Sequence, residues 1–72
     1  MVAYLKARME ELSLTIPHLM GDGGFPRQYY HRILKGMKPL STSVIRAIDQ
    51  NTDISAAELF FVRALHQMSE SD

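Results

Sequence analysis

Apolar side chains recur along this chain at three- and four-residue intervals, and turn-forming residues separate the runs. Val2, Leu5, Met9 and Leu12 fall on one narrow stripe at about 100° per residue, with Lys6, Glu10 and Ser13 off it. This predicts an amphipathic helix over 2–13 with one buried face. Leu14-Thr15-Ile16-Pro17 has the form of a helix start: Thr15 can cap, and proline is tolerated in a first turn, where its missing N–H has no helical partner. That helix should be short and end near Met20, because Gly21-Asp22-Gly23-Gly24 is strong turn chemistry. A third helix opens at Pro26 and stops at Gly36. After a loop at 37–40, Ser41, Thr42 and Ser43 offer caps for a fourth helix over 41–50, whose apolar face is Val44, Ile45 and Ile48. Asn51-Thr52-Asp53 ends it. Ser55-Ala56-Ala57-Glu58 fits a capping box, serine with glutamate three residues later, and opens a fifth helix over 56–68. Residues 69–72 read as a polar tail. With no strand-type alternation, repeat or linker, the expected architecture is all-α: five short helices in a single domain spanning 1–72.

On a wheel the third helix divides cleanly. Tyr29, Tyr30, Ile33 and Leu34 occupy one side; Arg27, Gln28, His31, Arg32 and Lys35 occupy the other. Arginine can bond bidentately to guanine edges and glutamine to adenine, and lysine neutralises phosphate, so the polar side is chemically suited to DNA. A helix face exposed only for solubility usually mixes charge signs. This one carries no acid.

Net charge sharpens that reading. The chain has eight basic and eight acidic side chains and a formal charge of zero, which taken alone disfavours nucleic acid. The distribution is uneven. Between Gly23 and Ile48 lie Arg27, Arg32, Lys35, Lys38 and Arg46 and no acid, while Glu10, Glu11 and Asp22 precede this stretch and the remaining acids follow from Asp49. Hydrophobic residues make up 46% of the chain, which is typical of a folded globular domain. There are no cysteines, so neither disulfides nor a thiolate zinc site can brace a domain this small. No apolar run approaches the roughly 18 residues of a membrane span. The start, MVAYLKARMEEL, has early acids and no apolar core; the expectation is no secretory leader and a cytoplasmic address.

The stretch from Leu14-Thr15-Ile16-Pro17-His18-Leu19-Met20 through Gly24-Phe25-Pro26-Arg27-Gln28-Tyr29-Tyr30-His31-Arg32-Ile33-Leu34-Lys35-Gly36 resembles the helix-turn-helix of Cro/C1-type (XRE-like) transcriptional regulators of phages and bacteria. The likeness continues through a fourth helix like Ser41–Gln50 and a fifth opened by Ile54-Ser55-Ala56-Ala57-Glu58-Leu59, and so covers about residues 4–61. Its motifs are apolar spacings and a turn glycine. The resemblance implies a compact five-helix, lambda-repressor-like domain that binds double-stranded DNA, with 26–35 as the recognition helix. Arg27, Gln28, His31 and Arg32 would then read bases. Thr15, Ile16, Lys35, Lys38, Ser41 and Thr42 would contact the backbone. The chain departs from the family pattern at Met20, where a small residue is usual, at Gly23, where an aliphatic one is, and at Tyr30, where Val or Ile is favoured.

In the fifth helix apolar residues point nearly everywhere, as expected of a helix buried on more than one side. Phe61, Leu65 and Met68 form the side left over for a partner, so a homodimer through this helix is expected. Two recognition helices about 34 Å apart would read a pseudo-palindromic operator, as a small repressor does.

No enzyme is expected. His18, His31 and His66 do not form a local metal motif, no HExxH occurs, and the glycine turn lacks the Lys-Ser/Thr that completes a phosphate loop. Hence no catalytic residues, metal or cofactor are assigned. The rival reading is a protein-interaction module on a drifted helix-turn-helix scaffold, in which Arg27, Tyr29 and Tyr30 form an aromatic-basic hot spot that binds and modulates a second protein.

Overall fold

Five helices follow in the expected order in the computed structural model, which describes residues 2–21 and 24–70, the last two by backbone alone: α1 (Val2–Glu11), α2 (Ile16–Met20), α3 (Arg27–Leu34), α4 (Thr42–Asn51) and α5 (Ala56–Glu70). The described residues contain no strand. Helix α1 leans on α3, α3 on α2, α2 on α4, and α4 on α5.

The ends of four helices differ from the sequence reading: α3 covers Arg27–Leu34 rather than 26–35, with Pro26 and Lys35 as its caps, α4 covers Thr42–Asn51 rather than 41–50, with Ser41 as its cap, and α1 and α5 shift further. Helix α1 stops at Glu11 rather than 13, because Ser13 turns left-handed with φ 56°. The Ser13 N–H then donates to the Glu10 carbonyl (3.1 Å) and the Leu14 N–H to the Met9 carbonyl (2.7 Å), the pair of bonds that closes a Schellman motif. Glycine usually fills that position because a Cβ is strained there. Ser13→Gly should therefore stabilise the fold by about 0.5–1 kcal/mol, read as a higher urea midpoint with unchanged slope. Helix α5 runs to Glu70 rather than 68, since neither glycine nor proline in 66–70 stops it. Of the expected tail, Ser69 and Glu70 are thus helical, and 71–72 lie outside the described residues.

The core draws on every helix: Leu5 and Met9, Leu19, Tyr30 and Ile33, Val44, Ile45 and Ile48, and Leu59, joined by Leu40 and Ile54 from the connections. The α4 face matches the sequence reading residue for residue. In α1 only the middle of the stripe is buried, with Val2 and Leu12 half-buried at its ends. In α5 the inward residue is Leu59, with Ala56 and Phe60 packed beside it. From Ala64 to Met68 every α5 residue is exposed.

The capping box at Ser55 forms as read and reaches further than its own helix. The Glu58 N–H donates to Ser55 Oγ, and the Ser55 N–H and hydroxyl donate to Glu58 Oε2, each at 3.1 Å. The other carboxylate oxygen, Oε1, accepts from Arg8 Nε (2.6 Å) and from the Tyr4 hydroxyl (2.9 Å). One side chain thereby caps α5 and ties α1 to it. Arg8 also pairs with Glu11 one turn on.

Candidate nucleic-acid interface

Helix α3 is set by its two ends. Pro26 is the extended residue before the first turn, and its carbonyl accepts from the Tyr29 N–H at 3.0 Å. At the other end Gly36, with φ 78°, donates to the Ile33 carbonyl while Met37 donates to the Arg32 carbonyl, a second Schellman closure.

Between these ends the wheel holds. Tyr30 and Ile33 are buried and Tyr29 and Leu34 half-buried, while Arg27, Gln28, His31, Arg32 and Lys35 are all exposed. Gln28, His31, Arg32 and Lys35 line one shallow groove along the outer face, and Met37 closes its end. Met37 is 70% exposed, the most exposed of the large apolar side chains among the described residues. Sequence reasoning placed it in a loop and gave it no role. Nothing in its spacing distinguishes it, because its exposure follows from the left-handed turn at Gly36.

Tyr30 explains one departure from the family pattern. Its ring fills the core, edge-on to Phe25, and its hydroxyl donates to the Leu19 carbonyl at 3.3 Å. The same carbonyl accepts from Asn51 Nδ2 at 2.9 Å. Near the end of α2, one carbonyl thus receives donors from both α3 and α4, and this ties the recognition-helix candidate to its neighbours. Burial, and then the neighbouring Tyr29, push the Tyr30 phenol above its usual range, so it stays a donor at neutral pH. Met20 is half-buried. Beside it, a Cβ on Gly21 would collide with the Asn51 side chain, so glycine permits the close approach of α2 and α4 there. Gly23 lies outside the described residues.

The residues assigned to the DNA backbone have mixed surroundings. Lys35 is exposed at the end of α3. At the start of α2 the Thr15 N–H donates to His18 Nδ1 (2.9 Å), Pro17 has no N–H, and the His18 N–H turns back to the Thr15 carbonyl. An arriving phosphate would therefore meet mainly the Ile16 N–H and the Thr15 hydroxyl, itself 3.0 Å from His18 Nδ1. Histidine here stands where a capping box carries glutamate. Ser41 caps α4, its Oγ accepting from the Val44 N–H at 3.4 Å. Thr42 Oγ1 accepts from Arg63, whose guanidinium also reaches the Leu40 carbonyl and lies over the Phe60 ring. Lys38 is half-buried, with its ammonium over the Tyr29 ring. Arg46, on the outer side of α4, is exposed.

The histidines do not converge: among the described residues no three His, Cys, Asp or Glu side chains are placed to hold a metal ion. Nor is any described helix long and apolar enough to cross a membrane. No family model, curated protein or solved structure matches the chain.

Proposed function

We propose that this protein is a sequence-specific double-stranded DNA-binding regulator of the Cro/C1 type, a small repressor that binds a pseudo-palindromic operator as a homodimer. The observation that carries this reading is the outer face of α3, where Arg27, Gln28, His31, Arg32 and Lys35 are all exposed and none is opposed by an acid on that helix. The face projects from a helix anchored by a buried tyrosine, and a rigid mount suits base reading. Arg27 and Gln28, at the helix's N-terminal end, supply the base contacts, and His31 and Arg32 extend them one turn on. The rival hot spot loses ground on burial. Tyr30 is 1% exposed and Tyr29 is covered by Phe25 and Lys38, so neither ring presents a face to a protein partner.

In vitro selection of bound duplex from a random pool tests the assignment. Wild type should yield a two-fold-related motif. Arg27→Ala or Gln28→Ala should cost about 1–3 kcal/mol of discrimination at one base position and flatten the motif there. A pool that stays random under wild type would oppose the reading.

The dimer is proposed through the exposed end of α5. Phe61, Leu65 and Met68 are 64%, 47% and 68% exposed, spaced by four and three residues so that they share one helix face. Phe61→Lys should shift sedimentation toward the monomer, and an unchanged dimer would refute this interface.

A further inference from the structure

Tyr29 sits on the border between the two halves of α3, and the structure holds it firmly there. Phe25 stacks against its ring, with centroids 4.8 Å apart and planes 24° apart. Lys38 Nζ lies over the same ring, 5.2 Å from its centroid. The residue is half-buried, yet among the described residues its hydroxyl has no hydrogen-bond partner and no buried side-chain oxygen or nitrogen is left unpaired. The hydroxyl must therefore lie at the water-accessible surface. At about 100° per residue, Tyr29 is roughly 60° around the helix from Arg32, on the flank of the polar face rather than its centre. A helix in a major groove turns its central face to base edges and its flanks to the phosphate strands.

We infer that Tyr29 is a phosphate-contacting residue of the DNA surface: its hydroxyl donates to a backbone phosphate oxygen, and Lys38, held over the ring, neutralises the charge beside it. This rests on the DNA-binding reading above. Phe25 acts as the positioning residue, because a ring already stacked loses little freedom when a strand arrives. With its ring engaged by Phe25 and Lys38, Tyr29 offers its hydroxyl rather than a stacking surface. A single hydroxyl donor on the flank fixes register without reading sequence.

The test uses the full chain and two probes, the duplex recovered from the random pool and a scrambled duplex of the same length. Tyr29→Phe keeps the stack and the fold, which an unchanged unfolding midpoint checks. It should weaken binding to both probes by the same factor, about 2- to 10-fold, and leave the selected motif intact. Lys38→Gln should lower the steepness of the log affinity against log salt plot by about 1. Unchanged affinity of Tyr29→Phe would overturn the assignment while wild-type binding to the same probes keeps the DNA reading standing. A changed motif would overturn it in favour of a base contact. Failure of wild type itself to bind either probe would remove the DNA reading and this assignment together.

Discussion

Tyr30→Ala is expected to remove about 3–5 kcal/mol of stability, the usual cost of deleting a large buried aromatic side chain. A chain of 72 residues has roughly 4–11 kcal/mol in total at ordinary stabilities per residue, so the variant should sit at or near the unfolding threshold. The ring is 1% exposed, contacts Phe25 edge-on and sends its hydroxyl to the Leu19 carbonyl. Tyr30→Phe separates the two contributions. It keeps the volume and removes only the hydroxyl, and the Leu19 carbonyl still accepts from Asn51. That variant should lose about 0.5–1.5 kcal/mol. Urea unfolding of the pair checks both values. Tyr30→Ala within about 1 kcal/mol of wild type would mean that this ring does not hold α3 against α2.

The second large effect belongs to Glu58 and depends on pH. The Arg8 guanidinium, above all, holds the Glu58 carboxyl down at about 2, against an ordinary 4.5. Burial opposes that shift, while the Ser55 N–H, the Tyr4 hydroxyl and the Ser55 hydroxyl reinforce it. A carboxyl with a lower pKa in the folded state stabilises the fold above its unfolded pKa and loses that contribution as pH falls through its folded one. The contribution is thus complete above about pH 4.5 and disappears toward pH 2. The side chain is 23% exposed, so solvent screening reduces the linked energy to about 1–2 kcal/mol. Glu58→Gln retains the capping-box geometry and removes the charge. It should be less stable than wild type by that amount at pH 7 and should match it near pH 2. A gap of equal size at both pH values would show that the ion pair with Arg8 contributes nothing.

These two residues also show how far the sequence carries. Val44, Ile45 and Ile48 were readable as a core face because a helix buried on one side repeats its apolar residues at its own period. The Ser55–Glu58 box was readable because it is local. Its partners Arg8 and Tyr4 were not, since they lie 50 and 54 residues away and no spacing rule links them. Tyr30 was visible as apolar-side, but its bond to Leu19 depends on where α2 ends relative to α3. The early stop of α1 was hidden because serine takes the left-handed position that glycine would have advertised. At the candidate interface the exposed set on α3 followed from the wheel. The caps at Thr15 and Ser41 were readable because they are local, whereas the commitments of Thr42 to Arg63 and of Lys38 to the Tyr29 ring were not, because each depends on a side chain brought in by folding.

The most direct test of the account is an affinity titration of the pool-selected duplex at about 50 mM and about 200 mM salt, with wild type and Arg27→Ala side by side. If a dimer makes six to eight phosphate contacts, affinity should fall by roughly 10³- to 10⁴-fold across that range. Arg27→Ala should prefer the selected duplex over a scrambled one by a markedly smaller factor. Absence of binding to any duplex at the lower salt, with the dimer intact, would contradict the account.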